Sequence, residues 1–219
     1  MNLWLYSQVH NFTSEMKVYS IVSNKGGCGK TSLVVNIAIA MHVEGQSGLI
    51  IDCDPQATAT VWGQQREEEE PGTIPAQGHQ IKTIIEEAKS QGCDYVVIDT
   101  PPHSDQTSLA AARVADVVLI PVRPSLPDIA ALSYTDDLVS LAKKRAQAHV
   151  VINSAPTKGM QNDAQNAIKE IGLNLAPAQF WQRVAFSHSF NSGQGVLEYE
   201  PSGKAAAEVN RLMRWLSRL

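Results

Sequence analysis

Residues 25 to 32 read Lys25-Gly26-Gly27-Cys28-Gly29-Lys30-Thr31-Ser32, and this stretch decides the fold of the 219-residue chain. It follows a run typical of a β-strand (16–22) and opens a run typical of a helix (30–43). Glycines allow backbone conformations closed to residues with a Cβ, so successive N–H groups can point inward at phosphate oxygens. The positive end of the helix dipole lies at the same place. The stretch therefore predicts a phosphate-binding loop.

The loop departs from the general pattern G-x-x-x-x-G-K-[ST] at one position. That pattern requires a glycine where this sequence has Asn24, and the chain instead follows the variant K-G-G-x-G-K-[ST], with Lys25 at the loop's entrance. The spacing lets Lys30 reach the β- and γ-phosphates and places the Thr31 hydroxyl to ligate Mg²⁺. We therefore expect a nucleoside triphosphate with Mg²⁺ as the ligand.

Composition narrows the class of protein. The net charge is −4, so nucleic-acid binding would need a local basic patch. The three cysteines lie far apart, which argues for reduced thiols in the cytosol and against a disulfide framework or a zinc site. No apolar run approaches the ~20 residues of a membrane-spanning helix, and the first residues do not resemble a secretory signal. We expect residues 1–15 to be an arm of unknown role and 16–219 to be one domain.

The alternation of strand and helix patterns predicts an α/β fold: a doubly wound, mostly parallel sheet with helices on both faces. Residues 64–80 are interpreted as an acidic, exposed connection, residues 121–124 as a break, and residues 180–196 as mostly irregular. The expected strands are 16–22, 49–51, 95–98, 117–120 and 149–152. The expected helices are 30–43, 80–91, 105–115, 128–147, 160–171 and a last one from the N-cap Ser202 to the end.

Acidic residues follow two of the apolar strands. Asp52 and Asp54 come after the second strand, and Asp99 follows the third in a Walker B-like arrangement. Chemistry in an open α/β sheet is expected at the carboxyl ends of the strands. These acids are therefore candidates for the metal and for water activation.

The loop, the segment Asp52-Cys53-Asp54-Pro55-Gln56 and the segment Asp99-Thr100-Pro101-Pro102 together resemble the ParA/MinD superfamily of deviant-Walker ATPases. The resemblance covers the chain from Met16 onward. The D-x-D-P-Q segment is similar to the ParA branch, and the short chain is similar to small ParA proteins of the ParF kind.

The resemblance implies a set of residue roles. Lys25 would reach the nucleotide of a partner subunit, and Asn153 would read the adenine base of ATP. Asp54 would orient the attacking water, and Asp52 would support the lysine or the water shell of the metal. Asp99 would hold Mg²⁺ through water. The phosphates would be held by Lys30 and the loop, namely Lys25, Gly26, Gly27, Cys28, Gly29, Thr31 and Ser32.

The resemblance also implies an activity in the cell. It implies an ATP-dependent homodimer in the cytoplasm that associates with the nucleoid through non-specific DNA binding and segregates a plasmid or chromosome. Hydrolysis would be slow and stimulated by a centromere-binding partner, either ParB-like or a small ribbon-helix-helix protein. Arg123 is interpreted as a structural ion-pairing residue in preference to a built-in arginine finger. The candidate DNA contacts are Lys143, Lys144, Arg145, Arg183, Lys204, Arg211, Arg214 and Arg218, with helix-end solvation as the simpler interpretation of 143–145.

Other interpretations of the function remain open from the sequence alone. A MinD-like, membrane-associated regulator would use the basic and amphipathic segment 211–219, although the same pattern fits a helix that packs Leu212, Leu216 and Leu219 into the core. A ParA-like ATPase could also position another cytosolic cargo. A metabolic enzyme would need a substrate-binding insertion, and an iron–sulfur ATPase would need paired cysteines.

Overall fold

The computed structural model describes residues 15–219, so the expected arm over 1–15 lies outside the described residues except for Glu15. The described chain forms a seven-stranded, all-parallel sheet with helices on both faces, which confirms the predicted fold class. The strands are β1 Lys17–Ile21, β2 Gly48–Asp52, β3 Gly72–Pro75, β4 Tyr95–Asp99, β5 Val117–Val122, β6 Ala148–Ile152 and β7 Asn174–Leu175. The helices are α1 Lys30–Val43, α2 Thr58–Gln64, α3 Ile81–Ser90, α4 Asp105–Val114, α5 Leu126–Ala130, α6 Leu132–Leu141, α7 Lys158–Ile171, α8 Val184–Asn191, α9 Val196–Tyr199 and α10 Lys204–Leu216.

The strand order is β3-β2-β4-β1-β5-β6-β7, with β1 in the centre. Successive side chains of a strand point to opposite faces, so each central strand supplies apolar residues to two separate cores. Val97 joins the core beneath α1 and α10, whereas its neighbours Val96 and Ile98 join the core beneath α4 and α7. Near-continuous apolar strands are the pattern of a parallel sheet covered on both faces.

Helix α1 lies in the middle of one core. The sequence indicates a single apolar face, but every residue from Leu33 to Met41 is buried. The reason is that α1 packs against the sheet on one side and against α9 and α10 on the other. The helix ends at Val43, as expected, and is followed by Gly45, which adopts the left-handed region (φ 83°).

Two edge strands were not expected. β3 lies inside the predicted connection 64–80 and pairs with β2, and the two-residue β7 pairs with β6. The predicted break at 121–124 is also wrong, because β5 continues through Pro121 to Val122. Pairing with neighbouring strands outweighs weak local propensity at these positions.

The predicted helix over 128–147 is two helices, α5 and α6, and it stops at Leu141. Lys143 adopts φ 60°, while the N–H of Lys144 donates to the Val139 carbonyl oxygen at 2.8 Å. This is the helix-ending turn that glycine usually supplies, so the sequence carries no signal for it. The predicted irregular stretch 180–196 is likewise wrong, since it contains α8 and begins α9.

The last helix begins at Lys204 after the N-cap Gly203, one residue beyond the expected Ser202, and it ends at Leu216. Leu212 and Leu216 are buried in the core as predicted, whereas Leu219 is 51% exposed, so its predicted packing is wrong. Among residues 15–219, no helix combines the length and the apolar character needed to cross a membrane.

Candidate functional site

The predicted site residues meet at one edge of the sheet. Because all strands are parallel, their carboxyl ends share that edge. The loop 22–29 follows β1, while Asp52 and Asp99 are the last residues of the neighbouring strands β2 and β4 and stand opposite each other in register. Asn153 directly follows β6.

The phosphate loop has the backbone that its glycines predict. Gly27 and Gly29 adopt φ 69° and 91°, and Gly29 caps the N-terminus of α1. Lys30 is 6% exposed, and its Nζ donates to the Lys25 carbonyl oxygen at 3.0 Å. The loop thus curls around a buried ammonium at the positive end of a 14-residue helix, which is a suitable place for phosphate.

Asn153 supports the loop directly. Its amide nitrogen donates to the Cys28 carbonyl oxygen at 2.8 Å, and a Cβ at Gly29 would overlap that same nitrogen. Only glycine therefore fits at position 29. The predicted contact of Asn153 with adenine stays a prediction, because in this structure its amide nitrogen serves the loop.

Asp52 is 2% exposed and organises the segment that follows β2. One carboxylate oxygen accepts from the Asp54 N–H at 3.1 Å. The other accepts from the N–H and the hydroxyl of Thr60 at 2.8 and 2.9 Å, which ties down the first turn of α2. Its predicted support of a lysine or of the metal's water shell remains untested.

Asp99 has the environment of a metal-binding carboxylate. It is 1% exposed, and neither carboxylate oxygen accepts a hydrogen bond from the described residues. Burial raises the pKa of Asp99 to about 7, and the Asp52 and Asp54 carboxylates add to the shift, while the nearby Thr31 hydroxyl and Lys30 oppose it. Buried carboxylate oxygens without a partner, beside a hydroxyl, fit a hard divalent cation. Thr31 and Asp99 would hold Mg²⁺, which would neutralise charge on the phosphates.

Two cavities are each lined by some of the predicted residues. The first, of about 940 Å³, is lined by Lys25, Gly27, Gly29, Thr31 and Asn153, together with Arg123 and parts of 181–191. The second, of about 1120 Å³, is lined by Asp52 and Asp54. Asp54 also turns toward its own loop, where its Oδ1 accepts from the Gln56 N–H at 2.9 Å. The structure therefore places Asp54 in the second cavity and not in the first.

The first cavity has walls that the sequence did not indicate. Trp181, Phe186 and Phe190 line it, in the stretch interpreted as irregular. The aromatic residues of that stretch were the available signal, since aromatic side chains commonly line ligand pockets. Arg123 lies beside Gly27 and its Nε is 3.4 Å from the Asp128 carboxylate, which agrees with the predicted structural ion pair.

The candidate DNA contacts fall into two groups. Lys144 donates to the Ala115 carbonyl oxygen at 2.7 Å, Arg145 pairs with Asp136 at 2.7 Å, and Arg183 pairs with the buried Glu208 at 2.6 Å. These three are engaged within the fold. The other five are exposed and form no ion pair with a described acidic residue: Lys143, Lys204, Arg211, Arg214 and Arg218.

The parallel sheet, the glycine-rich loop before α1 and the acids at the ends of β2 and β4 define a P-loop nucleoside-triphosphate-binding protein of the deviant-Walker kind. Two family models match the chain: one described as "AAA domain" over residues 16–77, and one described as "ATPase MipZ" over residues 55–167, just over half of the chain. The chain belongs to the ParA/MinD superfamily of ATPases.

Individual relatives are similar over nearly the whole chain. Maintenance of carboxysome distribution protein A from Halothiobacillus neapolitanus is 27% identical over 202 residues, which cover 89% of this chain and 93% of that protein. Protein ParA of Rhizobium radiobacter is 26% identical over 207 residues, which cover 89% and 92%. The solved structure of the MinD cell division protein of Aquifex aeolicus matches with a TM-score of 0.74 at 20% identity, over 92% of this chain and 97% of that one, and shows the shared fold.

Proposed function

We propose that the chain is a positioning ATPase that dimerises on ATP, binds DNA without sequence preference and moves a cargo whose adaptor stimulates hydrolysis. The observation that carries the proposal is the loop with Lys25 at its entrance. Lys25 is half-buried and lines the first cavity together with Gly27, Gly29 and Thr31 of the phosphate loop. A lysine supplied across a dimer interface would make hydrolysis depend on association.

The cargo proposed from the sequence is a plasmid or a chromosome, with a ParB-like or ribbon-helix-helix protein as its centromere-binding partner. A second candidate is a cargo other than DNA. One observation favours this second candidate: a relative that matches nearly the whole chain is named for carboxysome distribution. In both cases we expect a cytoplasmic protein associated with the nucleoid.

The proposed DNA contact is the outer face of α10. Lys204, Arg211 and Arg214 share one side of this helix, and Arg218 follows it. The opposite side contains Val209, Leu212 and Leu216, which are buried in the core. Because the apolar side packs inside the fold, α10 has little apolar surface to insert into a lipid interface, and its charges suit phosphate in water.

The central experiment measures ATP turnover with and without DNA for the parent protein, Lys30→Ala and Asp54→Ala. We expect Lys30→Ala to lose ATP-dependent dimers, because the buried ammonium no longer holds the phosphates. We expect Asp54→Ala to keep the dimers and to lose turnover. Equal turnover in all three proteins would refute the site.

DNA binding is tested with Arg211→Gln and Arg214→Gln, with Lys169→Gln on the exposed side of α7 as the control. Each contact that is lost should lower the slope of log affinity against log salt by about 0.9, and the control should leave the slope unchanged. An interaction with DNA that needs no ATP and does not weaken as salt rises would refute ATP-dependent binding through this basic face. Co-flotation of the ATP-bound protein with anionic vesicles would favour the membrane reading instead.

The cargo is tested with the adaptor. A small DNA-binding protein encoded directly downstream, which stimulates turnover only with its own DNA site, would support partition. Stimulation by a downstream protein that binds no DNA would support the second candidate.

A further inference from the structure

Arg66 occupies an unusual place for a residue of a predicted exposed acidic segment. Its side chain is only 3% exposed. Nη1 and Nη2 donate to the two carboxylate oxygens of Glu198 at 3.1 and 3.0 Å, and Nη1 also donates to the Gly193 carbonyl oxygen at 2.9 Å. Nε and Nη2 donate to the Glu70 carbonyl oxygen at 3.1 and 2.6 Å. The guanidinium lies 4.9 Å from the centre of the Trp62 ring.

These contacts fasten the C-terminal end of α2 to the turn between α8 and α9. Trp62 is fully buried, and its indole N–H donates to the Gln194 carbonyl oxygen at 3.3 Å. Gly193 adopts φ 66°, and a Cβ there would lie 2.8 Å from the Gln65 carbonyl oxygen, so the two backbones approach closely. A planar, bidentate guanidinium is well suited to hold such a junction in one geometry.

The other end of α2 lies at the catalytic edge. Asp52 accepts two hydrogen bonds from Thr60 in the first turn of α2. The loop 53–57, which carries Asp54, therefore runs between the end of β2 and a helix whose far end is fastened by Arg66. Ala57 in this loop adopts φ 51°, a left-handed conformation that is unfavourable for alanine and must be stabilised by the surrounding structure.

We propose that Arg66 is a positioning residue for ATP hydrolysis: through α2 it fixes the loop that carries Asp54. The inference rests on the proposed function, in which Asp54 orients the attacking water. It also joins that loop to the first cavity, because α8 lines the cavity and the ring of Phe190 lies 6.5 Å from that of Trp62. Small displacements of a group that orients a reactant reduce the rate strongly, even when the ligand still binds.

The test compares ATP affinity with single-turnover hydrolysis in the full-length protein with Mg²⁺. Arg66→Met keeps an unbranched side chain that is shorter and removes the guanidinium. Glu198→Gln keeps the shape, removes the charge and replaces one of the two acceptor oxygens with an amide donor. We expect each to lower the hydrolysis rate, Arg66→Met by about 10-fold, while the Kd for ATP changes by less than about 2-fold. Arg66→Lys should recover only part of the rate, because one ammonium cannot serve Glu198, Gly193 and Glu70 together.

Ile168→Ala is the matched control. Ile168 is a buried residue of α7, in the core on the face of the sheet opposite to α2. Its truncation should lower stability without disturbing α2. The inference predicts that the control keeps the parent rate. A rate in the control as low as that of Arg66→Met would overturn it, because loss of stability alone would then explain the effect.

Two further outcomes separate this inference from the proposed function. Parent-like rates in Arg66→Met and Glu198→Gln, together with an inactive Asp54→Ala, would overturn the inference alone. Full turnover in Asp54→Ala would refute the role of Asp54 and the inference with it. If Arg66→Met does not fold, Glu198→Gln decides by the same criteria.

Discussion

The close fit between Gly29 and Asn153 permits a quantitative test of the phosphate loop. In Gly29→Ala, the new Cβ occupies the place of the Asn153 amide nitrogen, and alanine has to adopt φ 91°. The left-handed backbone costs about 1–2 kcal/mol. Displacing Asn153 also breaks its hydrogen bond to the Cys28 carbonyl oxygen, at about 1–3 kcal/mol if this buried carbonyl oxygen finds no new partner. We expect Gly29→Ala to lower the free energy of unfolding by about 2–5 kcal/mol.

The double variant Gly29→Ala/Asn153→Ala isolates the contribution of the overlap. Asn153→Ala alone loses the hydrogen bond, whereas in the double variant the overlap is relieved and only the backbone strain is added. The losses in the free energy of unfolding of the two single variants should therefore sum to about 1–3 kcal/mol more than the loss of the double variant. The measurement is urea unfolding of the parent and the three variants without nucleotide. Additivity within about 0.5 kcal/mol would refute the argument that Asn153 and Gly29 compete for one place.

Three other substitutions test the acid, the last helix and a buried hydroxyl. The pKa of Asp99 is raised to about 7 from its ordinary value of 3.8, so the cost of ionising it in the fold grows between pH 4 and pH 7. Nucleotide-free Asp99→Asn should therefore be more stable than the parent by about 4 kcal/mol at pH 8 and equally stable near pH 4. The variant should also lack Mg²⁺-dependent turnover. Lower stability of the variant at pH 8, measured by urea unfolding, would contradict this reasoning. Leu212→Ala should cost about 2–5 kcal/mol in the same assay, because the Leu212 side chain is fully buried on the inner side of α10, and a loss below about 1 kcal/mol would show that α10 is loosely packed. Ser20→Ala should leave stability unchanged or raise it, since the buried Ser20 hydroxyl has no partner among the described residues, and a loss above about 1 kcal/mol would point to a missing partner.

The sequence predicts the centre of the molecule better than its edges. The strands β1, β2, β4, β5 and β6 and the helix α1 follow strong apolar patterns, because burial on both faces dictates their composition. The edge strands β3 and β7 have only four and two residues and are held by pairing, so they leave little trace in the sequence. The end of α6 at Leu141 is hidden for a related reason, since a lysine stands where glycine is usual.

The phosphate loop was predictable because the spacing of its glycines reflects local backbone geometry. The acids were predictable because each stands at the end of an apolar strand. The aromatic wall at Trp181 and Phe186 was not, because it comes from a distant segment that only the fold brings to the loop. Arg66 shows the same limit. A charged residue before an acidic run indicates a solvated surface, and only the position of Glu198, 132 residues away, gives it a buried partner.

The burial of α1 on every side has a consequence for motion. Helix α1 is enclosed by the sheet, α9 and α10, so it cannot shift unless all of these neighbours repack. We therefore expect α1 and the loop N–H groups at its start to keep their position during the nucleotide cycle. The amide protons of α1 should exchange with solvent only on global unfolding, while those of exposed loops exchange through local opening. Conformational changes that accompany ATP turnover are then expected in the surface segments, while α1 stays in place.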